Sequence, residues 1–250
     1  MTPTWTYPEF VDAARSDERV LGLVLTGSRG RGLFVRQDSD WDVRLVVDDE
    51  SLAECEVRYD TPDGSALDVA VLSLSGFEQA GALGSESEWD RYSYSHSDVV
   101  LDKLDGRIAK LVAEKSVLPH GAALEIAGAA LDAYINAYFR SAKNARAGLV
   151  VEAHLDAAES ITPFLAALFA MYERVRPFNK YLRWELDTFP LEGDLWTADS
   201  LLPRLERIAA DGAIGEQQSL FRDVEAFARE RGLGHVVDGW ESDFAFLRGA

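Results

Sequence analysis

The hydrophobic period of the chain changes near Leu118-Pro119-His120-Gly121, and this change constrains the fold more than any other feature. Before it lie short runs of strand length. Val20–Thr26 (VLGLVLT) is continuously apolar, while Trp41–Val47 (WDVRLVV), Ala53–Tyr59 (AECEVRY) and Ala66–Leu72 (ALDVAVL) alternate polar with β-favouring residues. After it, Gly121–Ala147, Val150–Val175, Leu201–Asp211 and Glu216–Arg231 are long, Ala/Leu-rich and amphipathic at the helical period. The expected architecture is an α/β (α+β mixed-sheet) domain over residues 1–118 followed by an α-helical bundle over 119–250. With no low-complexity linker at the boundary, a tight junction with a ligand site between the two parts is expected.

Within the first part, Pro8–Asp17 reads as a short amphipathic helix with proline at its start. Tyr59-Asp60-Thr61-Pro62-Asp63-Gly64 holds the residues that favour a hairpin, which would make Ala53–Tyr59 and Ala66–Leu72 adjacent strands. An irregular stretch from Gly81 to Ser97 precedes one more short strand at Asp98–Leu101, a turn at Asp102–Asp105 and a helix from Gly106 to Lys115.

Composition narrows the classes. The 250 residues are 47% hydrophobic and 27% charged, the balance of a folded chain with a real core. A single cysteine, Cys55, forbids an internal disulfide and any cysteine-based zinc or iron–sulfur site. The start MTPTWTYPEFVDAARSDE lacks a basic, apolar leader, and no apolar run approaches the roughly 20 residues that span a bilayer, so a cytoplasmic location without membrane is expected. Twenty-five basic against 43 acidic residues leave a formal −18, which repels nucleic acid and anionic lipid. The excess concentrates in residues 1–95, with 8 basic and 19 acidic side chains. That excess serves solubility, or a cleft for cations.

The residues that carry chemistry are Leu25-Thr26-Gly27-Ser28-Arg29-Gly30-Arg31-Gly32, then Asp40-Trp41-Asp42, then Asp68. A strand ending in Gly27-Ser28 and a glycine-rich turn into a short helix present N–H groups and a hydroxyl to an anion. Asp40 and Asp42, one residue apart at a strand start, project to the same face. With Asp68 on a neighbouring strand they form an oxygen cluster suited to magnesium. Two ions about 4 Å apart would activate an attacking oxygen and stabilise a leaving pyrophosphate.

These residues resemble the nucleotidyltransferases of the DNA polymerase beta superfamily: an apolar strand, Gly-Ser, a spacer (here Arg29–Ser39), Asp-x-Asp in the Ser39-Asp40-Trp41-Asp42 form, and a third acid in Leu67-Asp68-Val69. Trp41 is bulkier than the small aliphatic usual between the acids, and Arg29 replaces the usual small residue after Gly-Ser; neither change removes a ligand. The resemblance implies transfer of a nucleoside monophosphate, AMP from ATP, to a hydroxyl with release of pyrophosphate. Asp40, Asp42 and Asp68 would be the catalytic and metal-binding residues for two Mg2+ ions. Size and the helical second part are similar to the bacterial aminoglycoside and lincosamide nucleotidyltransferases, which implies a small hydroxylated, cationic acceptor and a role in antibiotic resistance. Val99–Ile108 looks like a run that follows the catalytic strands in that branch.

Gly27, Ser28 and Arg29 are the nucleotide-contact candidates in the turn. In the bundle, Arg140 and Lys143, three apart on one helix, and Lys180, just past a helix end, could hold the triphosphate or simply pair with surface acids. Glu152, Asp156 and Glu159 form one acidic helical stripe, either solvated or facing a cationic acceptor, with Glu152 a rival to Asp68 as general base. Trp89, with Tyr92 and Tyr94, could stack on a base or sugar or serve packing. His96, His120, His154 and His235 lack ligand spacing, and neither a zinc motif, a G-x-S-x-G elbow, a Walker A lysine nor a Rossmann fingerprint is present. Two alternatives stay open: an antitoxin-type nucleotidyltransferase acting on a partner protein, and a non-catalytic nucleotide or small-molecule binder.

Overall fold

The computed structural model describes residues 5–62, 64–240 and 243–249. The chain divides into two compact units, Met1–Val117 and Leu118–Ala250. The first is an α/β unit with a mixed sheet and the second an α-helical bundle.

In the first unit, α1 (Tyr7–Ser16) begins where the Thr6 N–H donates to the Glu9 carboxylate at 3.0 Å, with Pro8 in its first turn. Four strands follow: β1 (Val20–Leu25), β2 (Trp41–Val47), β3 (Leu67–Ser73) and β4 (Asp98–Asp102), in the spatial order β3-β2-β1-β4. β1 runs antiparallel to β2 and β4, whereas β2 and β3 are parallel. Strand alternation sorts the side chains onto two faces. Leu23, Leu25, Val43, Leu45, Val47 and Leu67 pack with Phe10, Ala14, Cys55 and Tyr59 on one face. Val24 and Val46 pack with Phe77, Tyr94, Ile108 and Val112 on the other. Asp42 and Arg44 on β2, and Asp68 and Ala70 on β3, share the parity of this second face.

One strand expectation is overturned. Ala53–Arg58 is helical, within α3 (Leu52–Arg58) with Tyr59 just past its end, and the chain from Tyr59 to β3 is the return from helix to strand rather than a hairpin. Asp63, in that turn, lies outside the described residues. The sequence alternates locally, but Cys55 and Tyr59, four apart, are both fully buried while Val57 between them is 79% exposed. Parallel pairing of β2 with β3 forbids a hairpin and requires a crossover, which a helix supplies. Asp48 caps the single 3-10 turn, Asp49–Ser51, that leads into α3, its carboxylate accepting the Ser51 N–H at 3.0 Å. Two further helices complete the unit's second face, α4 (Leu74–Gln79) and α5 (Arg107–Lys115). The short α2 (Gly27–Arg31) follows β1.

In the second unit, α6 (His120–Arg146) and α7 (Val150–Met171) form the longest helix pair. Ala123, Ala127, Ala137, Ala142, Ala153, Ala157 and Ala167 are all buried, and these small side chains let neighbouring backbones approach. Larger rings fill the remaining space: Tyr134 lies 5.6 Å from Phe164, and Tyr138 lies 5.5 Å from Phe221. α8 (Leu182–Thr188), α9 (Ala198–Asp211), α10 (Ile214–Glu230), α11 (Gly234–Asp238) and α12 (Phe244–Arg248) follow. α9 starts three residues before its apolar period, because the Thr197 hydroxyl accepts the Ser200 N–H at 3.3 Å.

α7 is shorter than the expected Val150–Val175. The Glu173 N–H bonds the Ala170 carbonyl at 2.8 Å and the Arg174 N–H bonds the Phe169 carbonyl at 3.0 Å, with Glu173 left-handed at φ 59°. This is the Schellman stop, built here without the glycine that normally marks it in a sequence. Among the described residues no helix is long and apolar enough to cross a membrane.

Candidate active site

The site region is organised by the turn after β1. Thr26 is buried, and both its N–H and its hydroxyl donate to the Asp42 carbonyl, at 2.8 and 3.2 Å. That extends the β1–β2 pairing by one residue and holds the Asp42 backbone against the turn. Gly27 follows at φ 64°, and a Cβ built on it would lie 1.8 Å from Asp42 Oδ2. Glycine is therefore demanded here twice, by the backbone and by the carboxylate lodged against it. Gly30 approaches the Leu25 carbonyl so closely that a Cβ would sit 2.1 Å from its oxygen. Arg31 fixes the turn from outside: its guanidinium donates to the Gly27 carbonyl at 3.0 Å and the Tyr92 carbonyl at 2.6 Å, and lies 4.8 Å over the Tyr92 ring.

Asp42 and Asp68 are direct register partners on the parallel strands β2 and β3, so their side chains leave the same face of the sheet as neighbours. Asp42 is half-buried and Asp68 exposed. Asp40 lies two residues upstream, exposed and just outside β2. Among the described residues, no three His, Cys, Asp or Glu side chains are gathered closely enough to hold a metal ion. The sheet thus brings two carboxylates together and leaves the third at the strand entrance. Such a donor set fits magnesium, which is usually held by one or two carboxylates with water and substrate phosphates completing the shell.

Arg44 is a residue of this face that sequence reasoning missed. It stands one alternation beyond Asp42, and its guanidinium meets the Asp90 carboxylate at 3.3 Å, both side chains being 18% exposed. The two-residue period of β2 was the signal that could have placed it. The other candidates are placed as follows. Ser28 is half-buried on α2, and its carbonyl accepts the Leu33 N–H at 2.9 Å. Arg29 lies over the Trp41 ring. Trp89 is 74% exposed, whereas Tyr92 and Tyr94 are buried, so burial leaves only the first with a ring open to stack.

In the second unit, Arg140 meets Asp156 at 3.1 Å and Glu159 at 2.7 Å, while Asn144 donates to Asp156 at 2.8 Å. Arg140 is therefore ion-paired with two of the three acids of the stripe, Asp156 and Glu159. Lys143 is exposed with its ammonium 5.7 Å from the Phe139 ring, Lys180 is exposed with its ammonium 5.3 Å from the Tyr181 ring, and Glu152 is exposed.

No known family's sequence profile matches the chain. No curated protein matches it either. Among solved structures it resembles a nucleotidyltransferase-like protein from Exiguobacterium sibiricum 255-15, at 9% identity, covering 92% of this chain and 72% of that one, with a TM-score of 0.45. At that similarity the chemistry has to be argued from the residues themselves.

Proposed function

We propose that this protein is a magnesium-dependent nucleotidyltransferase, moving AMP from ATP to a hydroxyl of a small cationic molecule of the aminoglycoside kind. The observation that carries the reading is the opposition of Asp42 and Asp68 across parallel strands, with Gly27 shaped around the Asp42 carboxylate. Asp42 and Asp68, joined by Asp40, would hold the metal. Magnesium bound there supplies charge neutralisation for the attacking oxygen and for the pyrophosphate that leaves. Ser28 and the Gly27-Ser28 turn face the phosphates. Asp68, exposed at the sheet surface, takes the proton of the acceptor hydroxyl as its oxygen bonds to the α-phosphorus and the bond to pyrophosphate breaks.

The formal −18 of the chain supports a cationic acceptor over a nucleic acid. The test is a screen of ATP, GTP, CTP and UTP against pooled hydroxylated amines, with and without Mg2+, reading pyrophosphate and product mass. Metal-dependent pyrophosphate release with an acceptor mass increase matching AMP is expected. Absence of product with every nucleotide, from a folded protein, would defeat the proposal.

A further inference from the structure

The two positions at which the motif departs from its usual small residues, Arg29 and Trp41, touch each other. The Arg29 guanidinium sits 4.2 Å over the Trp41 ring, and its Nε donates to the Ser39 carbonyl at 2.9 Å. The opposite face of Trp41 is covered by Tyr7, whose ring is parallel within 7° at 3.7 Å. The result is a three-layer stack of Tyr7, Trp41 and Arg29, joining α1, the first residue of β2 and α2. Between Arg29 and Trp41 the chain leaves α2 and runs through residues 33–40 with no regular structure. Its internal ties are local, with the Arg36 N–H on the Ser39 hydroxyl at 2.8 Å and the Ser39 N–H on the Arg36 carbonyl at 3.2 Å. Asp40 lies between the two points that Arg29 grips, the Ser39 carbonyl and the Trp41 ring.

We propose that the Arg29–Trp41 pair is a clasp that holds the Asp40–Asp42 segment in position, making Arg29 a positioning residue for the carboxylates instead of a ligand of phosphate. Two physical points support this. A guanidinium stacked on a ring and hydrogen-bonded to a carbonyl has its flat face and one donor edge already engaged. An indole covered on both faces has no surface left for a base, so its size serves to anchor the strand entrance. The two departures then form one coupled unit, each requiring the other: arginine has no ring to rest on without Trp41, and the outer face of Trp41 is bare without Arg29. The catalytic meaning of the clasp rests on the nucleotidyl-transfer reading; the holding of the segment does not.

The test is a double-mutant cycle of Arg29→Ala, Trp41→Leu and both, with Trp41→Phe as the variant that keeps an aromatic face. Hydrogen–deuterium exchange of residues 33–42 in the free protein is the first readout. Arg29→Ala and Trp41→Leu should each speed exchange by about tenfold, the double variant should be no faster than the faster single, and Trp41→Phe should stay near the parent. Mn2+ titration and ATP kinetics are the second. Arg29→Ala should weaken Mn2+ about fivefold and lower kcat while leaving KM for ATP within about twofold, because positioning acts on the metal ligands and not on phosphate binding. Exchange unchanged in Arg29→Ala overturns the clasp. So does a rise of about tenfold in KM for ATP in Arg29→Ala with none in Trp41→Leu, since that is the signature of a phosphate ligand. A parent protein that binds neither Mn2+ nor ATP overturns the transfer reading, while the exchange cycle still decides the clasp for or against. If Trp41→Leu does not fold, Arg29→Ala and Trp41→Phe carry the same comparison.

Discussion

The two units treat buried cations in different ways. In the α/β unit the most buried cations bind backbone carbonyls: Lys115, 4% exposed, donates to the carbonyls of Glu78 and Ala80 at 2.9 and 2.6 Å, and Arg91, 7% exposed, donates to those of Gly81, Glu114 and Val117. In the helical unit buried charges meet opposite charges. Arg204 pairs with Glu216 and Asp223 at 2.8 Å each, Glu185 with Arg174 at 2.6 Å, and Glu225 with Arg229 and Arg248. The cause is topological. Long helices satisfy most of their own carbonyls and leave acids and bases to pair along their surfaces, whereas the carbonyls that Lys115 and Arg91 reach belong to the last turns of α4 and α5 and the residues just after them, where a helix leaves its acceptors unsatisfied. The unit with the larger acidic excess thus places two of its bases on carbonyls, leaving carboxylates such as Asp40 and Asp68 at its surface for other chemistry.

The sharpest break of this contrast is at those carboxylates. Asp42→Asn and Asp68→Asn should each lower the proposed transfer by about a thousandfold or more while the thermal midpoint stays near the parent's, because each removes a charge at the sheet surface on which the proposed mechanism rests. Turnover within a few-fold of the parent in both would detach function from this face. Gly27→Ala comes next: the added methyl meets the Asp42 carboxylate and the residue must hold a positive φ, so activity should fall about a hundredfold and urea unfolding should show a loss of about 1–3 kcal/mol.

The carbonyl-bound cation is tested by Lys115→Met, which keeps much of the stem and leaves the Glu78 and Ala80 carbonyls without their donor. A loss of about 2–3 kcal/mol is expected in denaturant unfolding, compared with less than about 1 kcal/mol, salt-sensitive, for Arg140→Ala in the half-exposed Arg140–Asp156–Glu159 network. Equal effects would erase the distinction between the units.

Acid should affect both units through the same sign. Asp17, hydrogen-bonded by Arg19 and Tyr59, and Glu225, hydrogen-bonded by Arg248 and Arg229, are both held below the ordinary carboxylate range by those donors. A carboxyl whose folded pKa is depressed contributes stability that is complete above its unfolded value, about 4, and is lost as pH falls through the folded value. Stability should therefore decline below about pH 4, and Asp17→Asn should flatten that acid limb while lowering stability at neutral pH. A limb of unchanged steepness would remove Asp17 from the account. Tyr59, pushed up to about 12 mainly by burial, stays protonated throughout and remains a donor to Asp17.

Residues with a local signature were read directly from the chain. β1, β2 and β3 follow apolar or alternating runs, α1 follows its proline, and the Gly27-Ser28 turn and the Asp40-Trp41-Asp42 pattern stand in one continuous stretch. Features that depend on a distant partner were not legible. The alternation of Ala53–Tyr59 is as good a strand as its neighbours until β2 and β3 pair in parallel and the segment between them has to cross a face. The end of α7 was not legible for a local reason: it lacks the glycine that marks such a stop, and Glu173 takes the left-handed conformation while the N–H groups of Tyr172, Glu173 and Arg174 bond the carbonyls of Phe169 and Ala170.

The sequence by itself determined the two-part architecture, because hydrophobic period is a property of neighbouring residues and changes near residue 119 without reference to anything else. It also named the acids and the glycine turn. Only the tertiary structure decided how they meet. Register places Asp68 beside Asp42 and leaves Asp40 at the strand entrance, packing makes Gly27 obligatory through a carboxylate 15 residues away in sequence, and stacking turns Arg29 onto Trp41. Each of these is a contact between segments separated along the chain, and a side chain's role in such a contact is set by what the fold brings opposite it.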